Sequence, residues 1–294
     1  MAIRVMNTQQ ALDIPKSTSA DPEQRDFDEP APLDTHGPAR IIAMVNQKGG
    51  VGKTTSSINL GASLAAYGRK MLLVDFDPQG ALSVGLGINP YDLDTSVYNL
   101  LMNPRMDPHE VIVGTDFDDI DVLPANIDLS AAEVQLVGEV AREQILSRVL
   151  SKVADEYDVI LIDCQPSLGL LTVNALTASH GVIIPLETEF FALRGVALLV
   201  ETIEKIQDRL NPSLVVDGIL ATMFDSRTLH SKEVMSRVME AFDDRVFDTV
   251  INRTVKFPDA SVAAEPITSF APKHAGSEAY RRLARELIAR GGAP

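Results

Sequence analysis

Ile41-Ile42-Ala43-Met44-Val45 runs through Asn46-Gln47 into Lys48-Gly49-Gly50-Val51-Gly52-Lys53-Thr54-Thr55, and this stretch decides the fold. Five apolar residues form a run too short for a helix and apolar on both faces, as a strand covered from both sides must be. Residues 54–66 carry apolar side chains at three- and four-residue spacing, the mark of a helix. Between them the glycines let the backbone turn its N–H groups toward one point, and the helix start adds the positive end of its dipole. Strand, glycine loop and helix in this order make a phosphate cradle. The amides of Gly49, Gly50, Val51, Gly52, Lys53, Thr54 and Thr55 line it, Lys53 reaches the β- and γ-phosphates, and the Thr54 hydroxyl is placed to ligate Mg²⁺.

Two acid-bearing strands lie downstream. Leu72-Leu73-Val74-Asp75-Phe76-Asp77-Pro78-Gln79-Gly80 delivers two carboxylates that need not share a role. An isolated Asp-x-Asp is commonly a helix or turn cap, but placement at the end of a buried strand favours function. Asp75 is assigned here to supporting the loop or the magnesium shell. Asp158-Val159-Ile160-Leu161-Ile162-Asp163 is an apolar strand ending in an acid, the arrangement that holds magnesium or its waters. Asp158 reads as structural and Cys164 as a small buried side chain.

Around these stretches, short apolar runs alternate with amphipathic ones. That is the signature of a three-layer α/β/α fold, a mostly parallel twisted sheet with helices on both faces. Strands are expected at 41–45, 71–74, 120–123, 159–162, 182–185, 219–224 and 246–251, and helices at 54–66, 131–154, 168–178, 192–209, 229–241 and 277–290. Residues 1–39 are rich in Pro, Asp, Glu, Ser and Thr and predict a disordered N-terminal tail, leaving residues 40–294 as the folded domain.

The five histidines sit at no metal-ligand spacing, and a single cysteine excludes an internal disulfide or a thiolate zinc site. No apolar run approaches the roughly 20 residues of a membrane helix, and the N-terminus lacks a signal-peptide core, which predicts a cytoplasmic protein with no membrane partner. The net charge of −15 argues against nucleic acid as a partner of the whole surface. Its distribution is uneven. Residues 41–218 hold 11 basic and 24 acidic side chains (net −13), and residues 219–294 hold 11 and 10 (net +1). The C-terminal quarter is electrostatically different, consistent with a local basic face and equally with an ordinary solvated surface.

Taken together, these motifs resemble the ParA proteins of the ParA/MinD family, P-loop ATPases with a deviant Walker A motif that partition chromosomes and plasmids. A general P-loop has glycine where this chain has Gln47, and KGGVGKTT with its extra Lys48 is similar to the deviant form. The stretch through Asp77 resembles VDxDPQG. Asp163 matches the Walker B acid, although Cys164-Gln165-Pro166 follows where the family has Asp-x-Pro-Pro, so the switch loop beyond it departs from the pattern. Thr222-Met223-Phe224-Asp225-Ser226-Arg227-Thr228 resembles TMxDxRT, and Thr249-Val250-Ile251-Asn252-Arg253-Thr254-Val255-Lys256 resembles TVIPRNVR, so the likeness covers about residues 40–290.

This resemblance implies ATP and Mg²⁺ as cofactors and an ATP-dependent homodimer in which Lys48 reaches the nucleotide of the other subunit. It implies that Asp77 positions the attacking water and that Asn252 and Thr254, which replace the family's Pro and Asn, lie near the adenine. Arg227 and Lys256 match residues that bind double-stranded DNA without sequence preference, with ordinary surface charge as the alternative. A ParB-like centromere-binding partner and a nucleoid-associated location are also implied. A MinD-like membrane-associated or polar-positioning ATPase needs a membrane-seeking C-terminus, and an Arg-rich helix closing in Gly291-Gly292-Ala293-Pro294 without Trp or Phe anchors is a poor one. A nitrogenase-type reductase needs two cysteines per subunit and is excluded. Intact Lys48, Lys53, Asp77 and Asp163 argue against a non-catalytic scaffold.

Overall fold

A computed structural model of the chain describes residues 26–189 and 192–294. In chain order the elements are β1 (Arg40–Met44), α1 (Lys53–Ala66), β2 (Met71–Phe76), α2 (Ala81–Gly85), α3 (Val97–Met102), β3 (Val113–Gly114), β4 (Ile120–Leu123), α4 (Leu129–Gln135), α5 (Ile145–Leu150), β5 (Val159–Cys164), α6 (Leu170–Ala178), β6 (Gly181–Glu187), α7 (Ala192–Arg209), β7 (Val215–Thr222), α8 (Leu229–Phe242), α9 (Lys256–Val262), α10 (Ile267–Phe270) and α11 (Ala275–Ala289). The strands form one sheet in the order β3-β4-β2-β5-β1-β6-β7, parallel throughout except for the two-residue edge strand β3.

Side-chain alternation along β1 shows why two helical layers are needed. Ile41, Ala43 and Val45 enter one core with residues of α3 to α8, while Ile42 and Met44 enter a second core with α1, α10 and α11. In the second core, α1 approaches β2 so closely that a Cβ on Gly61 would lie 2.8 Å from a Leu73 methyl group, so a larger residue there would force Leu73 to repack. Because β5 and β6 flank β1, the crevice at the carboxyl ends of the strands opens beside the glycine loop, where open parallel sheets bind ligands.

Three expectations need correction. Residues 131–154 are not one helix: α4 gives way to a 3-10 turn at Leu136–Gly138, Ala141 takes a left-handed φ of 54°, and α5 starts only at Ile145. Glycine and a left-handed residue both interrupt a helix whatever its apolar period. Residues 246–251 form no strand. Their flanks make isolated bridges, Ile219 to Val246 and Phe224 to Asn252, but the amides of Asp248 and Thr249 donate to the fully buried carboxylate of Glu286 at 2.7 and 2.9 Å. A side chain here replaces the ladder.

The third concerns the N-terminal tail. Residues 1–25 lie outside the described residues. Residues 26–39 hold no helix or strand but lie against the body. The Gly37 amide donates to Asp158 Oδ1 (2.9 Å), His36 Nδ1 pairs with Asp158 Oδ2 (2.7 Å), and Arg69 donates to the Ala31 carbonyl (2.7 Å). Composition missed this arm because buried polar groups of the body hold it, largely by its backbone.

Candidate active site

The glycine loop has the shape its sequence demands. Gly50 and Gly52 adopt left-handed φ angles of 77° and 82°; nothing lies within 4 Å of where a Cβ on Gly50 would sit, so the loop is open at that point. The first helical bond of α1 runs from Ser56 N to Gly52 O, so the preceding amides of Lys53, Thr54 and Thr55 have no acceptor inside the helix. Distant groups pin the loop. The Thr222 hydroxyl donates to Val51 O (2.9 Å), and Asn46 donates to Pro185 O (2.7 Å) while accepting from the Lys48 amide (2.9 Å). Asn46 was missed from sequence, since only the sheet reveals its partner, and Thr222 was read only as part of a motif.

Asp163 and Thr54 meet below the loop. Thr54 Oγ1 donates to Asp163 Oδ2 at 2.6 Å, and Ser57 Oγ donates to Asp163 Oδ1 at 3.3 Å. Burial pushes the Asp163 carboxyl up to about 7, and the charge of Asp75, its register partner on β2, adds to the effect. Asp75 is itself pushed up to about 6 by burial, although it accepts from the Ser83 amide (2.9 Å) and hydroxyl (2.7 Å). Asp75 therefore braces α2 rather than the loop, and Ser83 is the partner that sequence reading overlooked. Asp77 lies past the end of β2, half-buried, with Oδ1 accepting from the Gln79 amide (3.0 Å).

Lys53 is buried, its ammonium donating to Lys48 O at 3.2 Å; burial lowers its pKa, opposed by the charges of Asp163 and Asp77. A glycine cradle, a hydroxyl and a buried carboxylate short of positive charge suit Mg²⁺, which takes one or two protein oxygens and fills its other positions with phosphate and water. Lys48 turns the other way. Its ammonium donates to Glu187 Oε2 (2.9 Å) and Glu189 Oε2 (2.5 Å), at the end of β6, and Arg253 donates to Glu187 Oε1 (3.1 Å).

Comparison with known proteins shows the family. A family model described as an AAA domain matches residues 39–216. An uncharacterized Mycobacterium tuberculosis protein is 62% identical over 91% of this chain and 84% of its own length. The sporulation initiation inhibitor protein Soj of Bacillus subtilis is 46% identical over 86% of this chain and 99% of its own. The chain belongs to the ParA/Soj family of partitioning ATPases. A solved structure of cobyrinic acid a,c-diamide synthase from Mycobacterium smegmatis, with bound ADP and magnesium, has a TM-score of 0.77 and 41% identity, covering 86% of this chain and 96% of that one.

The other residues singled out by the ParA/Soj resemblance have local partners of their own. Asn252 is exposed beside its bridge to Phe224, and the Thr254 hydroxyl accepts from the Lys256 amide (3.2 Å) at the start of α9. Arg227 is exposed and grips Asp225 with two nitrogens at 2.9 and 2.8 Å, holding that carboxyl down to about 2. Lys256 pairs with Asp259 (3.0 Å) and lies 5.8 Å from the Phe270 ring centroid. Gln165, which replaces a family proline, donates to Glu133 Oε1 on α4 at 2.9 Å. Among the described residues, no helix is long and apolar enough to cross a membrane.

Proposed function

We propose that the chain is a Mg²⁺-dependent ATPase that closes into a homodimer on ATP, binds double-stranded DNA without sequence preference, and releases it on hydrolysis stimulated by a ParB-like partner. The observation that carries this reading is the division of labour between two lysines of one loop. Lys53 is buried within its own cradle, whereas Lys48 stands at the rim with 44% of its side chain exposed. Lys53 and the loop amides neutralise charge on the transferred phosphoryl group, and Lys48 adds a second cation from the facing subunit. Thr54 and Asp163 would hold Mg²⁺, which when bound offsets charge on the phosphate oxygens. Asp77 orients the attacking water, and Asn252 and Thr254 flank the base. Arg227 and Lys256 contact DNA phosphates. Their present partners, Asp225 and Asp259, form exposed ion pairs of little value in water, so exchange for a phosphate is easy. The protein would then work on the nucleoid, in the cytoplasm.

The Mycobacterium smegmatis structure carries the name of an amide-forming synthase. The one cysteine here, Cys164, is buried at the end of β5 with its thiol pushed up by burial, so the chain offers no accessible thiol nucleophile for covalent chemistry beside the nucleotide site. The partition reading therefore stands ahead of it. Phosphate release and light scattering with Mg-ATP test the reading. Lys53→Ala should lose nucleotide binding, whereas Lys48→Ala should bind ATP yet lose hydrolysis or ATP-dependent dimerisation. Wild-type turnover and dimerisation in Lys48→Ala would contradict the proposal.

A further inference from the structure

The glycine loop is open to solvent at Gly50, yet its signature side chain Lys48 is turned onto two acids of its own subunit. Glu187 ends β6 in register with Thr222 of β7, and only 12% of its side chain is exposed, so the sheet fixes its carboxylate. One oxygen faces Lys48 (2.9 Å) and the other faces Arg253 (3.1 Å). Glu189 supplies a second acceptor to Lys48 at 2.5 Å and is held close by a 2.7 Å bond from its amide to the Glu187 carbonyl. We propose that Glu187 and Glu189 latch Lys48 to its own subunit in the resting protein, and that Arg253 takes over Glu187 when Lys48 leaves. The proposal rests on the reading above that Lys48 acts across a subunit boundary.

The chemistry of the two cations makes this handover work. An ammonium has three donors, and Lys48 directs two of them at its own subunit. It is a point charge on a flexible stem and departs without leaving a directional bond network behind. Its departure alone would strand a carboxylate that is mostly out of water, which is costly. Arg253 meets that need. Its side chain is 66% exposed, its guanidinium contacts only one Glu187 oxygen, and that group has the planar fork that spans both oxygens of a carboxylate. The acids thus oppose release of Lys48, and Arg253 favours it, so the two kinds of substitution should act in opposite directions.

The test labels nucleotide-free protein with an acetylating reagent and quantifies the Lys48 peptide by mass spectrometry, with exposed Lys273 as internal reference. The same variants are then followed by light scattering in Mg-ATP. Glu187→Gln with Glu189→Gln should raise Lys48 labelling about threefold to tenfold, the combined worth of two partly exposed ion pairs, and lower the ATP concentration needed for association. Arg253→Ala should do the reverse, and its effect should vanish when Glu187 is already Gln. Unchanged labelling in the double Gln variant, or an Arg253→Ala effect that persists in the Glu187→Gln background, overturns the latch. Faster labelling with weaker association would also overturn it, placing the acids in the closed dimer instead. If labelling responds as expected but the wild-type protein never associates with ATP, the dimer reading has failed and the latch stands.

Discussion

Asp158 and Asp163 belong to one segment of chain, just before β5 and near its end, and both carboxylates are buried, yet their surroundings differ. Asp158 receives the amides of Gly37 and Lys70 and the ring of His36; burial works to raise its pKa, but these donors outweigh it and hold the carboxyl below its ordinary range. Asp163 has two hydroxyls and a second acid as neighbours and is pushed up to about 7. One end of the sheet is complete as folded. The other is short of positive charge in a low-dielectric site, which is the electrostatic form of a binding site. Buried charge alone therefore does not mark function; buried charge without enough partners does.

The difference can be broken by substitution. Asp163→Asn should cut Mg²⁺-dependent ATP hydrolysis by about 100-fold or more, since it removes the only protein carboxylate proposed for the ion. Asp158→Ala should leave turnover at 25 °C within about twofold but cost about 3 kcal/mol of stability, because two amides lose a buried acceptor. Loss of turnover in a folded Asp158→Ala protein would erase the contrast.

Titration sharpens the contrast with opposite signs. A carboxyl raised in the folded state contributes stability that is present at low pH and lost as pH rises through about 7, so without nucleotide and Mg²⁺ the wild type should melt progressively lower, relative to Asp163→Asn, between pH 5 and pH 8. Asp158, held below its ordinary range, contributes the reverse, a stabilisation lost only as the solution is made acidic. A parallel pair of melting curves for wild type and Asp163→Asn would contradict the burial argument. Smaller effects follow at the rim. Thr222→Val removes one bond to the loop and should raise the KM for ATP about fivefold with little change in kcat, measured by steady-state kinetics. Arg227→Ala, at an exposed ion pair, should move the melting temperature by no more than about 2 °C.

Much of this was legible in the sequence because the site is built from contiguous stretches. The loop follows β1 directly, and Asp163 ends an apolar run, so adjacency along the chain stands in for adjacency in space. What escaped reading depends on partners far away in sequence. Asn46 finds Pro185 and Glu187 finds Lys48 only once β1 and β6 lie side by side; Ser83 is the exception, meeting Asp75 through the turn from β2 into α2. The short helices α2, α3, α9 and α10 hold too few residues to display a period. Residues 246–251 misled for a related reason: their apolar content suits a strand, but Glu286 claims two of their amides.

The most direct test of the central claim is binding of the purified protein to random-sequence duplex DNA with ATP, ADP or no nucleotide, at two salt concentrations, beside an Arg227→Ala/Lys256→Ala variant. Binding should require ATP, weaken steeply with salt, and in the variant be lost or show a salt slope lower by about 2. DNA binding indifferent to nucleotide, or absent in every nucleotide state, would contradict that claim.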